Sequence, residues 1–222
     1  MVNLIVLALA PVVIIALYIY VRDKYEREPI SMLLKALGTG ILIVLPISLV
    51  EWLLASVMPQ MAQQGQAFYK AFLVAGFTEE LFKFLALYFL IWRNRNFNEK
   101  FDGIVYAVFI SLGFAAVENI MYVMQFGIQT GYVRALASVP GHALFGITMG
   151  YYFGLSKFYI EKRREFLIRS FLYPVVLHGI FDFILMLNNY RLLLGFIPYM
   201  IFLYIDGLRR MKRLSESSIY RN

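Results

Sequence analysis

The sequence predicts an all-α fold, a polytopic membrane helix bundle of about seven transmembrane helices. Three observations predict it. Hydrophobic residues fill 61% of the 222 positions and charged residues 16%, against about 45–50% and about 25% in ordinary soluble chains. The apolar residues gather in runs long enough to cross a hydrocarbon core of about 30 Å as helices. The basic residues then divide unequally between the two sides of those runs. A soluble domain of this length has too little interior to hide so much apolar surface. Composition therefore excludes a soluble enzyme, a disordered chain and a nucleic-acid-binding domain, despite a net charge of +7. The chain has no cysteine, which removes disulfides, thiolate nucleophiles and cysteine metal sites.

The runs cover residues 3–21, 32–56, 69–92, 103–125, 135–156, 170–188 and 192–208. In the first, Ala8-Leu9-Ala10 resembles a signal-peptide cleavage site. No basic segment precedes it, however, and apolar residues continue to Val21, so it reads as a retained helix. The sixth and seventh runs are joined only by Asn188-Asn189-Tyr190-Arg191. The expectation is one transmembrane domain over 1–208 and a basic cytoplasmic tail over 209–222. With the N-terminus outside and the C-terminus cytoplasmic, sixteen of the 21 Lys and Arg fall in the cytoplasmic segments 22–31, 93–102, 157–169 and 209–222. The outer side holds only Lys70, Arg134 and Arg191. The basic excess thus orients the chain and meets anionic lipid.

Ionisable groups within the hydrocarbon are costly and commonly mark function. Here they are Lys35, Glu51, Glu79, Glu80, Lys83, Glu118, His142, His178 and Asp182. Lys35 lies near the end of its span and can snorkel. Glu51 sits near the outer end of the same span, at the interface or facing a site. Glu79 and Lys83 stand four residues apart and can pair, while Glu80 points about 100° away. Adjacent carboxylates at low dielectric suit general acid–base work; a purely structural ion pair is the plainer alternative. His178 and Asp182 share the same spacing, which lets the carboxylate orient the imidazole. Counted from the outer ends of their spans, Glu79, Glu118, His142, His178 and Asp182 lie about 9–16 Å deep at 1.5 Å per residue. Five polar positions on four spans therefore share one layer. Two small-residue stripes lead up to it: His142, Gly146, Gly150, Gly154 and Gly103, Ala107, Ser111, Ala115, Asn119.

The runs GFTEELFK (76–83), DGIVYAVFISLGFAAVEN (102–119), PGHALFGITMG (140–150) and HGIFD (178–182), with the earlier RDKYEREP (22–29), resemble the PrsW intramembrane protease family. That family sits in the wider CAAX-protease and bacteriocin-processing superfamily, which includes the APH-1 subunits of γ-secretase. The resemblance places the Glu-Glu motif on Glu79-Glu80 with Lys83, the first histidine on His142, and the His-x-x-x-Asn/Asp motif on His178 and Asp182. The basic residue is Lys, one position closer than the usual Arg of the CAAX enzymes, and Asp182 replaces their usual Asn. The resemblance implies a multi-pass protein of the bacterial plasma membrane. It also implies a site-1 cut, on the outer side, in a membrane-anchored anti-sigma factor.

Peptide hydrolysis needs an activated water, an oxyanion stabiliser and a proton donor to the leaving amine. Glu79 or Glu80 is expected as general base, with His142 helping to activate the water. His178, oriented by Asp182, is expected to stabilise the oxyanion or donate the proton. Asn119 would add a donor, with Glu118 orienting its neighbours. A metal version stays open, with no cofactor or Zn²⁺ as the two alternatives; Glu79, Glu80, His142 and His178 would be the ligands. Two readings outside catalysis remain beside it, an APH-1-like scaffold and a proton-coupled transporter.

Overall fold

The computed structural model describes residues 2–187 and 189–221; Asn188, the last residue of the expected sixth span, lies outside them. Among the described residues the chain forms helices and no strand. In order these are α1 (Val2–Arg22), α2 (Ile30–Leu42), α3 (Val44–Ser56), α4 (Gln63–Phe68), a π-helical segment (Tyr69–Phe77), α5 (Thr78–Ile91), α6 (Lys100–Phe126), α7 (Ile128–Leu136), α8 (Ser138–Phe158), a 3₁₀ turn (Ile160–Lys162), α9 (Arg163–Met186) and α10 (Tyr190–Glu216). The protein is an all-α polytopic membrane bundle.

Five helices are long and apolar enough to cross a membrane by themselves: Leu4–Arg22, Ile30–Ser56, Lys100–Phe126, Ile160–Met186 and Tyr190–Glu216. The second is interrupted at Ile43, where α2 passes into α3. Pro46 explains the interruption, because it lacks an N–H and its ring crowds the carbonyl one turn back. The other two expected spans, 69–92 and 135–156, fall on the π-helical segment with α5 and on α8. Both are diluted by polar residues and glycine. Residues 139–151 of α8 are buried throughout, so that helix needs no lipid-facing apolar stripe. The fifth span also starts later than its apolar run, because α7 ends at Leu136 and α8 begins after a break at Ala137. The helix of the seventh continues past residue 208 to Glu216.

α6 is the central helix, buried on every face from Phe101 to Ala116. α1, α2, α8 and α10 pack around it. Outward-facing residues such as Leu45, Phe89 and Leu136 stay exposed, as a lipid-facing surface requires. The α6–α8 contact is made by the small-residue stripes. A Cβ added to Gly150 would lie 2.2 Å from the Gly103 carbonyl oxygen, and one added to Gly154 would lie 2.1 Å from that of Lys100. Only glycine lets these backbones approach so closely.

All the basic loops lie at one end of the bundle. There the α1–α2 connector folds against the start of α6. Asp23 accepts a hydrogen bond from the Glu28 N–H at 3.0 Å, and the Tyr106 hydroxyl donates to Glu28. Glu99 caps α6 in a capping box with Asp102. Burial pushes the Asp23 and Glu28 carboxyls up to about 7.

Candidate active site

The π-helical segment delivers Glu79 and Glu80 to the interior. Its wider turn ends at Phe77, one residue before α5 begins. Such turns occur often at functional positions. Two glycines set how closely this region meets α9. A Cβ on Gly76 would lie 3.1 Å from the Gly179 nitrogen, and one on Gly179 would lie 2.3 Å from the Phe72 ring. The residue before Gly179 is His178, so this approach carries the imidazole onto the glutamates. Its Nδ1 lies 3.0 Å from Glu80 Oε1, and its Nε2 is 3.4 Å from Asp182 Oδ2, one turn along α9. Phe145 stacks on the ring with centroids 4.9 Å apart.

Lys83 is the counter-charge. Its ammonium donates to Glu79 Oε2 and to Glu80 Oε1, both at 2.9 Å, and it is 1% exposed. The ring of Phe114 lies under it at 4.3 Å. His142 closes the other side from α8. Its Nδ1 lies 3.2 Å from Lys83 Nζ, and its Nε2 lies 2.9 Å from Glu118 Oε2 on α6. Lys83 has no lone pair to offer, so His142 Nδ1 accepts and Nε2–H donates to Glu118. The two imidazoles stand edge to face, 5.3 Å between centroids.

The glutamates are not equivalent. Glu80 is fully buried and its Oε1 is held by Lys83 and His178. Glu79 lines a cavity of about 470 Å³ together with Glu51, Glu118, His142, His178 and Asp182. Exposed Lys70 and Gln125 also line it, so it opens at the end opposite the basic loops. Glu79 Oε2 lies 3.9 Å from Nδ1 of both histidines. Glu51 thus faces the site. Lys35 is exposed, as snorkelling requires.

Asn119 turns elsewhere. Its amide donates to the Ala8 carbonyl of α1 at 2.8 Å and its oxygen accepts from Arg134 Nε at 3.0 Å. Arg134 is the residue the sequence did not single out. It reads there as an outer-loop charge, yet α7 folds it back to 9% exposure. Its guanidinium lies 2.7 Å from Glu118 Oε2 and 4.0 Å above the Tyr122 ring. No local spacing announces this, because the contact spans two helices.

Glu79, Glu80, His142 and His178 each offer a ligand atom within 4.8 Å of the others. Two imidazole nitrogens and two carboxylates are a donor set for a Zn²⁺-type cation. Glu80 Oε2 is buried without a hydrogen-bond partner, which fits an incoming positive ligand. The residues present therefore fit a metal.

A multi-pass bundle that buries two glutamates, two histidines and a lysine beside one cavity has the make-up of an intramembrane hydrolase. Residues 28–205 match the family described as PrsW family intramembrane metalloprotease. The chain is 39% identical to Protease PrsW of Geobacillus kaustophilus, over 96% of this chain and 92% of that one. It is 38% identical to Protease PrsW of Bacillus subtilis over 92% of each chain. With the one from Clostridioides difficile it shares 38% over 97% of this chain and 93% of that one. No solved structure matches. The chain belongs to the PrsW family: it is a bacterial multi-pass membrane peptidase, which sets aside the scaffold and carrier readings.

Proposed function

We propose that this protease makes the first, site-1 cut in a membrane-anchored anti-sigma factor, on the outer side of the membrane, with water as the nucleophile. The observation that carries the chemistry is the convergence of Glu79, Glu80, His142 and His178 beside one cavity. The basic loops support the orientation, since they lie at the end away from its mouth.

Glu79 is the general base, because it is the glutamate that reaches the cavity. It removes a proton as the water oxygen attacks the scissile carbonyl carbon. His178, which lines the cavity, stabilises the resulting oxyanion, while Lys83 holds Glu79 and Glu80 in place. His178, held between Glu80 and Asp182, donates a proton to the leaving amine as the C–N bond breaks. His142, anchored by Glu118, keeps Lys83 and Glu79 in register. A divalent cation, when bound, would be held by Glu79, Glu80, His142 and His178 and would supply water activation and charge stabilisation. Burial serves each of these contacts, since charge interactions strengthen where water is excluded.

The test is co-expression with single-span candidate substrates, read as fragment size on a gel. The wild type is expected to release one fragment from a substrate cut near the outer membrane face. Glu79→Gln, Glu80→Gln, His142→Ala and His178→Ala are expected to release none while remaining inserted. Undiminished cutting by both Glu80→Gln and His178→Ala removes the proposed chemistry.

A further inference from the structure

A second knot of carboxylates lies at the basic end of the bundle. Asp102 and Glu118 sit on the same helix, about 24 Å apart at 1.5 Å per residue, so this knot is separate from the active site. Glu26, Glu28 and Asp102 each offer a carboxylate oxygen within 4.8 Å of the others. Glu28 is 2% exposed and Asp102 is 0% exposed.

No N–H or hydroxyl donor reaches one buried oxygen of each group, although the Glu28 and Asp102 carboxyls stand within hydrogen-bonding reach of each other. Asp102 Oδ2 accepts from the backbone N–H groups of Asn98 and Glu99 at 2.8 and 2.7 Å, while Oδ1 is buried with no partner. Tyr106 donates to Glu28 Oε2, and Oε1 is buried with no partner. Glu26 Oε2 is likewise buried and unpartnered. Among the described residues, no Lys or Arg forms an ion pair with any of the three. The contrast with the active site is direct, because there Lys83 answers both glutamates. Buried carboxylates without a counter-charge are costly. An all-oxygen, carboxylate-rich set without imidazole or thiolate selects a hard cation.

We propose that Glu26, Glu28 and Asp102 bind a hard divalent cation of the Mg²⁺ or Ca²⁺ class. The cation fastens the α1–α2 connector to the start of α6. Glu26 is half-buried, so it provides the route by which the ion enters. Pro29 directly follows Glu28 and opens α2, so fixing Glu28 also fixes where that helix begins. The role is structural and does not depend on the peptidase mechanism.

The test uses the full-length protein in detergent, stripped with a chelator. Mn²⁺ serves as the spectroscopic probe by electron paramagnetic resonance, and Mg²⁺ or Ca²⁺ as competitor. The expected result is a bound Mn²⁺ displaced by either competitor and retained in the His142→Ala/His178→Ala double variant. Glu26→Gln and Asp102→Asn are expected to weaken it about tenfold or more. Mg²⁺ or Ca²⁺ is expected to raise the melting temperature of the wild type but not of these two variants. Glu26→Gln alters the half-buried ligand, so it reports even where Asp102→Asn does not fold. Absence of Mn²⁺ binding, or binding that Glu26→Gln leaves intact, overturns the proposal. So does stabilisation by acid alone with no response to either cation, which would show carboxyls sharing protons.

Discussion

The imidazole of His142 and the carboxylate of Glu118 meet at 2.9 Å across α8 and α6. Glu118 is itself fixed by Arg134 at 2.7 Å. The pair therefore keeps the proton on Nε2 of His142 and leaves Nδ1 as the acceptor that faces Lys83. Glu118→Gln keeps the shape and removes the charge. It is expected to lower the turnover rate about 10–100-fold, as losses of orienting partners do, with little change in KM. Cleavage kinetics in detergent check this. An unchanged turnover rate would reduce Glu118 to a packing role.

Lys83 is the cation in contact with two buried carboxylates. Lys83→Met leaves both uncompensated and is expected to destabilise the protein by about 3–5 kcal/mol. Adding Glu80→Gln removes one of the two charges. The double variant is then expected to be more stable than Lys83→Met alone, a coupling that thermal unfolding of the four-member cycle measures.

The α6–α8 contact tolerates no Cβ at Gly150. Gly150→Ala would press against the Gly103 carbonyl, and backbone cannot swing aside as a side chain can. The expected cost is about 1–3 kcal/mol, with reduced cleavage because His142 and Glu118 stand on the two separated helices. Gly38→Ala, which meets nothing within 4 Å, is the control and is expected to melt as the wild type does.

The absence of cysteine makes the orientation directly measurable. Gln64, Gln129 and Arg95 are exposed. Single cysteines at Gln64 and Gln129 are expected to react with a membrane-impermeant maleimide added to intact cells. One at Arg95 is expected to react only after lysis. The reverse pattern would invert the bundle and place the cavity mouth in the cytoplasm.

Much of this protein was legible from composition and spacing. The apolar runs carry the spans, because crossing the hydrocarbon demands local length and apolarity in one stretch of chain. The pairs Glu79 with Lys83 and His178 with Asp182 followed from helical spacing alone. Asp102, by contrast, lies inside the run that carries the family resemblance, yet its unpartnered oxygen is visible only once the connector folds against it.

What the sequence determined by itself was therefore the bundle, the bias of its basic loops and the common level of its polar residues along their helices, all properties of position along one helix. Tertiary structure decided which way each polar side chain faces. Glu79 reaches the cavity while Glu80 is sealed behind Lys83 and His178, Asn119 turns to α1, and Arg134 returns from an apparent loop to hold Glu118. The physical reason is rotation about the helix axis. Neighbouring residues differ in direction by about 100°, and which of them meets the site depends on how the π-helical turn and the glycine contacts seat one helix against another.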